Sequence, residues 1–242
     1  MKILQHSLFL LTSFLSVTTL QAQSADDIIA KYIEAIGGRE KLKGITSVQF
    51  ENTLQIQGTD APNKIVILNG KGYRSESDFN GQKMVQVFTD KGGWAVNPMA
   101  GATEPQAMPD AQYKAGAEQI YAEPLLDYAA RGSKAELLGQ EKVGDVNAYK
   151  IKLSNTDKVS TTYFIDPATY YVIKTISSAD MMGQQVDVTV SYSNFKKTDY
   201  GWVIPEGLLI DFGGQFSLTA KVNKVEVNKP VDTSLFTMPG KQ

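Results

Sequence analysis

Residues 161–176 read Thr161-Thr-Tyr-Phe-Ile-Asp-Pro-Ala-Thr-Tyr-Tyr-Val-Ile-Lys-Thr-Ile176. Two runs of β-branched and aromatic residues flank the Asp-Pro-Ala-Thr turn sequence, whose proline presets φ at the second turn position, so the stretch predicts a β-hairpin. If Asp166 pairs with Thr169, both faces of the hairpin are apolar near the turn, and we expect each face to be covered. One face then carries Tyr163, Ile165, Tyr170 and Val172, and the other carries Phe164, Tyr171 and Ile173.

The segments on either side of this hairpin alternate between apolar and polar residues. Between Ser47 and Gln57 the apolar residues point one way and the polar residues the other. Burial of one face only is typical of an antiparallel sheet. The residues that face the predicted interior are Val48, Phe50, Leu54 and Ile56 here, Tyr149, Ile151 and Leu153 in a second segment, and Val186, Val188 and Val190 in a third.

Two details of the last strands concern irregular pairing. The apolar phase shifts from even positions up to Val222 to odd positions from Val225, which predicts a β-bulge near Asn223. Pro205 lacks a backbone N–H, which favours an edge position or a bulge for that part of its strand.

Helical segments interrupt the strands at two places. Ser24 and Asp27 form a capping box before an amphipathic helix that ends at Gly37-Gly38, and a short turn follows from Arg39 to Lys43. In mid-chain, residues 97–109 predict an aperiodic loop, Asp110 is expected to cap a helix, and Pro124 opens a second helical piece that ends at Gly132. With roughly ten strands, residues 23–242 predict a single α+β domain in which a large curved antiparallel sheet forms an incomplete barrel under a helical lid.

Residues 1–22 have the pattern of a secretory signal peptide. Lys2 precedes an apolar run from Leu8 to Leu15, and Ala22 suits the cleavage position. The run is far shorter than the roughly 20 apolar residues that span a bilayer, so we expect an exported protein cleaved near Ala22, with no transmembrane segment in the mature chain. The chain has no cysteine, so it must be held together by its hydrophobic core rather than by disulfides.

The composition excludes several classes of function. The formal net charge is −2 and the arginines are Arg39, Arg74 and Arg131, which argues against nucleic-acid binding. The single histidine, His6, lies in the predicted signal peptide. A mature chain without His or Cys has no Ser-His-Asp or Cys-His catalysis and no typical zinc, haem or iron–sulfur site. For an enzyme this leaves carboxylate, Lys or Tyr chemistry, or a metal site built from oxygen ligands. Since the sequence has no distinct acidic motif, we predict no catalytic residue, no metal and no cofactor.

Several short motifs, in this order along the chain, resemble the LolA-like family of periplasmic lipoprotein carriers, and more closely the exported proteins known as outer membrane lipoprotein-sorting proteins. Together they cover the whole mature chain. They are Tyr32-Ile-Glu-Ala-Ile-Gly-Gly-Arg-Glu-Lys-Leu42, Gly92-Gly-Trp94, Pro124-Leu-Leu-Asp-Tyr128, Glu136-Leu-Leu-Gly139, Ala148-Tyr-Lys150, Tyr163-Phe-Ile-Asp166 and Asp232-Thr-Ser-Leu-Phe-Thr-Met-Pro239.

The resemblance implies a hydrophobic cavity, between the half-barrel and its lid, that shields the acyl chains of lipoproteins or other lipid. It also implies transfer from an inner-membrane exporter to an outer-membrane receptor. The predicted cavity wall is the set Val48, Phe50, Leu54, Ile56, Trp94, Ile120, Leu125, Tyr149, Ile151, Leu153, Tyr163, Ile165, Tyr170, Val172, Val186, Val188 and Val190. On pattern alone, the inward-facing strand residues also suit an ordinary core.

Two other functions fit parts of the pattern. One is a periplasmic lipid-sensing regulatory domain that resembles the RseB-type sensors, which usually carry a second domain that this chain is too short to include. The other is a carboxylate-dependent envelope hydrolase, for which the candidate acid/base pairs are Asp78 with Asp90, or Glu136 with Glu141.

Overall fold

A computed structural model describes residues 23–181 and 184–240 of the chain. Its helices are α1 (Ala25–Ala35), α2 (Arg39–Lys43) and α3 (Asp110–Gly116), with 3₁₀ turns at Pro98–Ala100, Ala117–Ile120, Tyr128–Arg131 and Thr233–Phe236. The strands are β1 (Ser47–Ile56), β2 (Thr59–Leu68), β3 (Gly72–Phe79), β4 (Gln82–Thr89), β5 (Gly92–Asn97), β6 (Ala102–Ala107), β7 (Lys134–Val143), β8 (Val146–Ser154), β9 (Ser160–Ile165), β10 (Val172–Met181), β11 (Gln184–Lys197), β12 (Val203–Phe212) and β13 (Ser217–Val227). The predicted signal peptide lies outside the described residues.

All thirteen strands belong to one sheet, in the order β6-β5-β4-β3-β2-β1-β13-β12-β11-β10-β9-β8-β7. The first six strands form one meander and the last seven form another, and the antiparallel pair of β1 and β13 joins the two. The strands β6 and β7 are the free edges. The predicted α+β class and the open antiparallel sheet are therefore confirmed.

The sheet must curl because α3 touches strands that are far apart in its order. Gly116 of α3 lies against the ring of Phe88 in β4, and α3 also contacts β10, seven places further along the sheet. In a flat sheet these strands would be about 34 Å apart, whereas a seven-residue helix is only about 10 Å long. The sheet therefore wraps around its helices as an incomplete barrel, with an inner face toward them and an outer face away from them.

The main core lies between this inner face and α1. Ile28, Ile29 and Ile33 of α1 are almost fully buried against Val48 of β1 and Ile151 of β8. The predicted capping box is present, since the Asp27 N–H donates to Ser24 Oγ at 3.1 Å and the Ser24 N–H donates to Asp27 Oδ2 at 3.1 Å. This cap fixes the start of the helix whose apolar side packs on the inner face of the sheet.

A second, smaller core lies on the outer face of the sheet. Val87 of β4 is opposite Trp94 of β5, and both pack against Phe236 from the C-terminal 3₁₀ turn. The indole N–H of Trp94 donates to the carbonyl of Phe236 at 3.0 Å. The C-terminal segment thus covers the outer face of the first meander.

The residues between β5 and α3 were expected to form an aperiodic loop, and this prediction was wrong. They form a 3₁₀ turn and the edge strand β6, which contains Pro105. A proline is tolerated there because an edge strand leaves one side unpaired. The sheet consequently has more strands than the roughly ten expected.

The two predicted irregularities are both present. Glu51 pairs with Lys224 and Asn52 pairs with Val222, so Asn223 is the extra residue of a bulge. Pro205 pairs with Phe195 of β11, while the pairing of β12 with β13 begins only at Gly207. The proline therefore occupies a locally unpaired side of its strand.

The hairpin of β9 and β10 has a longer turn than the expected pairing of Asp166 with Thr169. The Asp166 N–H donates to the Tyr171 carbonyl at 3.0 Å, and the Tyr170 N–H donates to the Asp166 carbonyl at 2.8 Å. Tyr170 has φ +58°, so this residue lies in the turn rather than in the strand. Ile165 consequently pairs with Val172, whereas a pairing of Asp166 with Thr169 would have placed it opposite Tyr170.

The outer face of this hairpin is covered by lysine side chains. Phe164 is fully buried on this face, where the ammonium groups of Lys174 and Lys150 lie 4.8 Å and 5.7 Å from its ring centroid. Their aliphatic stems shield the ring while their charged ends reach water. Tyr171 stacks on Phe195 at 4.7 Å between centroids.

Candidate functional site

A cavity of about 270 Å³ lies on the inner face, between the last strands of the sheet and the helical cover. Its walls come from α1, from β9 to β12, and from residues 117–132, here called the cover segment. Most of the lining side chains are aromatic or aliphatic. The fourteen lining residues are Tyr32, Ile36, Ala122, Glu123, Pro124, Thr161, Tyr163, Val172, Thr175, Tyr192, Phe195, Trp202, Val203 and Pro205.

Glu123 is the one charged side chain among these lining residues. Its carboxylate accepts a 2.9 Å hydrogen bond from the Tyr32 hydroxyl and a 3.4 Å hydrogen bond from the Leu125 N–H. Burial in this apolar setting raises the pKa of Glu123 from its ordinary value of 4.5 to about 7, although both hydrogen bonds and the charge of Arg131 oppose the shift. The carboxyl group therefore titrates near neutral pH.

Two further tyrosine hydroxyls belong to the same polar patch of the cavity. Burial raises the pKa of both Tyr163 and Tyr192, and the nearby negative charge of Glu123 raises each of them further. Tyr192 exchanges a 3.1 Å hydrogen bond with the Thr175 hydroxyl. The two phenols therefore stay neutral and offer hydrogen-bonding groups within an otherwise apolar wall.

Trp202 adds an unpaired donor to this wall. The residue is 6% exposed, and among the described residues its indole N–H has no hydrogen-bond acceptor. Its ring contacts Phe50 edge-on, at 6.3 Å between centroids. A buried N–H without a partner costs free energy unless a bound group accepts from it.

Arg131 holds the cover segment in shape. Its guanidinium donates to the carbonyls of Leu126 at 2.7 Å and Pro124 at 2.5 Å, and it stacks over the ring of Tyr121 at 4.0 Å. It also forms an ion pair with Glu118 at 3.6 Å. The segment was expected to be helical, whereas it consists of turns and 3₁₀ pieces whose carbonyls need this arginine as a partner.

The structure places the predicted cavity residues in several different environments. Tyr163 and Val172 line the cavity. The main core beneath and beside it contains Val48, Phe50, Leu125, Tyr149, Ile151, Leu153, Ile165 and Tyr170. Ile120 is buried in the cover segment, and its carbonyl accepts from the Gly70 N–H at 2.8 Å.

Trp94 is the exception to the predicted placement. The structure puts it in the outer-face core instead of the cavity wall, because the register of β4 and β5 aligns it with Val87 rather than with the inward-facing Phe88. Trp202 occupies the cavity instead.

The remaining predicted residues continue the inner face beyond the cavity, toward the hairpin ends of the sheet. Val190 pairs with Thr175 of the cavity on one side and with Ile210 on the other. This row continues through Leu218 to Ile56 of β1, so apolar side chains of four adjacent strands lie together. We call the partly exposed set the open strip; it comprises Leu54, Ile56, Val186, Val188, Val190, Leu208, Ile210 and Leu218.

The proposed acid/base pairs do not come together. Asp78 is at the end of β3 beside the hairpin turn, where it accepts from the Gly81 N–H at 2.8 Å, whereas Asp90 lies at the opposite end of β4 and pairs with Lys71. Glu136 and Glu141 are both exposed on β7, and Glu141 pairs with Lys150 at 2.7 Å. In addition, the described part of the chain contains no cluster of three or more side chains suited to bind a metal.

Sequence reasoning missed Glu123, Tyr32, Tyr192 and Trp202. A signal for Glu123 is present, since it is the only charge in the run Ile120-Tyr-Ala-Glu-Pro-Leu-Leu126. The other three lie in α1 and in late strands, and only the tertiary fold brings them to one place.

Solved structures of other proteins share this fold. An outer membrane lipoprotein-sorting protein domain from Vibrio parahaemolyticus has a TM-score of 0.57 at 13% identity, and the match covers 88% of this chain and 97% of that one. A LolA superfamily protein from Nitrosomonas europaea gives a TM-score of 0.58 at 12% identity with the same coverage of both chains. A DUF1329 family protein from Desulfovibrio piger gives 0.57 at 12% identity, also with the same coverage.

No family model and no curated protein matches this chain by sequence. The matches to solved structures show that the chain has a LolA-like fold, as its motifs predicted. Among the described residues, the helices are all too short or too polar to cross a membrane.

Proposed function

We propose that this protein is a periplasmic carrier or chaperone that binds the acyl chains of lipoproteins, or other hydrophobic cargo, on the inner face of its incomplete barrel. The observation that carries the proposal is the apolar cavity under the cover segment, which borders the open strip where Thr175 of the cavity pairs with Val190. The fold shared with a lipoprotein-sorting domain supports it.

The size of the cavity argues for an elongated ligand. At about 270 Å³ it is slightly below the usual range for small-molecule pockets, about 300–1,000 Å³. The open strip extends this surface, since Tyr192 in the cavity and Val186 at the far end are separated by about 20 Å of strand. A long acyl chain would lie along β11 with one end under the cover segment.

The energy of such binding comes from burial of the chain. About 0.8 kcal/mol per methylene gives a 14-carbon chain an upper figure near 10 kcal/mol, which ordering costs then reduce. The indole N–H of Trp202 supplies a polar contact, because an ester or amide carbonyl at the head of an acyl chain accepts hydrogen bonds. No charged anchor is required for the chain itself.

The test is binding of a fluorescent fatty acid to the purified mature protein, combined with native mass spectrometry of protein isolated from an envelope fraction. Val188→Asp places a charge on the open strip and should weaken binding at least tenfold. Ser191→Asp on the same strand points to the outer face, next to Lys174, and serves as the matched control. Circular dichroism verifies that both variants are folded.

Equal binding by Val188→Asp and the parent protein would remove the open strip from the site. The carrier function as a whole would be contradicted if the protein bound no fatty acid and if native mass spectrometry showed only the mass of the protein without bound lipid. The lipid-sensing alternative uses the same cavity, so binding alone does not separate it from the carrier function. Transfer of lipid between vesicles does, because a carrier releases its cargo to an acceptor membrane.

A further inference from the structure

The cavity contains one acidic side chain, which is unusual for a site that binds only hydrocarbon chains. The lining residues include one acid, Glu123, and no lysine or arginine. An ionised carboxylate in such a setting is costly unless a cation or several donors compensate it. Here the direct hydrogen bonds to the carboxylate come from one phenol and one long backbone N–H contact, and the charge of Arg131 adds a contribution without a direct contact.

The nearest base is committed elsewhere. Arg131 donates to two backbone carbonyls of the cover segment and pairs with Glu118. Among the described residues, no lysine or arginine nitrogen lies within 4.0 Å of the Glu123 carboxylate. A cation could therefore still be accommodated beside Glu123.

The walls around this carboxylate are aromatic. Tyr32, Tyr163, Tyr192, Phe195 and Trp202 line the same cavity. Aromatic faces attract ammonium groups, and the attraction is larger when the site excludes water. A carboxylate among aromatic rings is a combination that suits an alkylammonium better than a neutral or an anionic head group.

We propose that the cavity selects amphiphiles that carry an ammonium group beside their apolar chain, with Glu123 as the anionic partner and the aromatic walls as the cage. This inference rests on the proposed function, since the apolar part of the ligand occupies the acyl site. A primary ammonium group would donate hydrogen bonds to the carboxylate, whereas a quaternary ammonium group would contact the rings and interact with the carboxylate through its charge alone.

The experiment measures binding of three ligands of equal chain length by calorimetry at pH 8: decyltrimethylammonium, decylammonium and 1-decanol, all below their aggregation concentrations. The parent protein should bind at least one ammonium ligand about tenfold more tightly than decanol. Preference for decylammonium points to a primary amine, and preference for decyltrimethylammonium points to a quaternary one.

Glu123→Gln keeps the shape of the side chain and removes its charge. In this variant the ammonium ligands should bind no better than decanol, so the tenfold preference of the parent protein is lost. Glu34→Gln neutralises an exposed acid on the neighbouring helix α1 and should keep the tenfold preference. Thermal unfolding verifies that both variants are folded.

Each outcome decides between the two proposals. Equal binding of all three ligands by the parent, or a preference that survives in Glu123→Gln, overturns the ammonium inference and leaves the acyl-binding function standing. Binding of none of the ligands overturns both.

Discussion

Neutralising Glu123 should stabilise the protein above neutral pH and have little effect in acid. The folded protein raises the pKa of this carboxyl from 4.5 to about 7, so it holds the proton more tightly than the unfolded chain does. Between these two values the unfolded chain has already lost the proton, and the stability of the parent protein falls as the pH rises. The substitution Glu123→Gln removes this loss.

The size of the effect follows from the shift in pKa. A rise from 4.5 to about 7 corresponds to about 3 kcal/mol of differential stability. Because the side chain is partly exposed, solvent screening lowers this to about 2 kcal/mol. For a domain of this length the expected gain in Tm at pH 8 is about 4–8 °C.

The assay is urea unfolding of the parent and Glu123→Gln, followed by far-ultraviolet circular dichroism at pH 4.5, 6 and 8. The difference in the free energy of unfolding should be near zero at pH 4.5 and largest at pH 8. Glu34→Gln is the control for loss of a surface charge. A difference that is constant across the three pH values, or a variant that is less stable at pH 8, would refute the assignment of a buried, costly carboxylate.

Two other predictions concern packing around the site. Arg131→Lys should destabilise the protein by about 1–2 kcal/mol and raise proteolysis of the cover segment, because an ammonium cannot hold two carbonyls and stack on Tyr121 in the same way; unchanged proteolysis would contradict this role. Gly116→Ala should cost about 1–3 kcal/mol in urea unfolding, since a Cβ there would lie 2.1 Å from Phe88 Cζ. A neutral effect would show that α3 shifts easily on the sheet.

Local signals in the sequence predicted much of the architecture. The alternation from Ser47 to Gln57 gave the correct inner face of β1, because an antiparallel sheet with one wet face has a strict period of two. The change of phase around Asn223 located the bulge for the same reason. The capping box at Ser24 fixed the start of α1 through contacts within a single turn.

The errors arose where long-range packing overrides local pattern. The residues around Trp94 do not indicate whether its side chain points to the inner or the outer face of the sheet. The C-terminal segment that covers it lies 142 residues away in sequence. The segment of residues 97–109 lacks periodicity because most side chains of β6 are exposed, so apolar residues mark neither of its faces. The turn after Asp166 is lengthened by a non-glycine residue with positive φ, which the sequence does not indicate.

The sequence by itself determined the class of fold, the inner face of clearly alternating strands such as β1, and the lack of Cys in the chain and of His after His6, since these depend on composition and on residues close to one another. Only the tertiary structure decided what the cavity contains. Glu123, Tyr32 and Trp202 come from the cover segment, α1 and the position just before β12, and they meet because the sheet curls around its helices. The combination of a carboxylate, phenols and an indole in one cavity therefore depends on the curling of the sheet and not on any one motif.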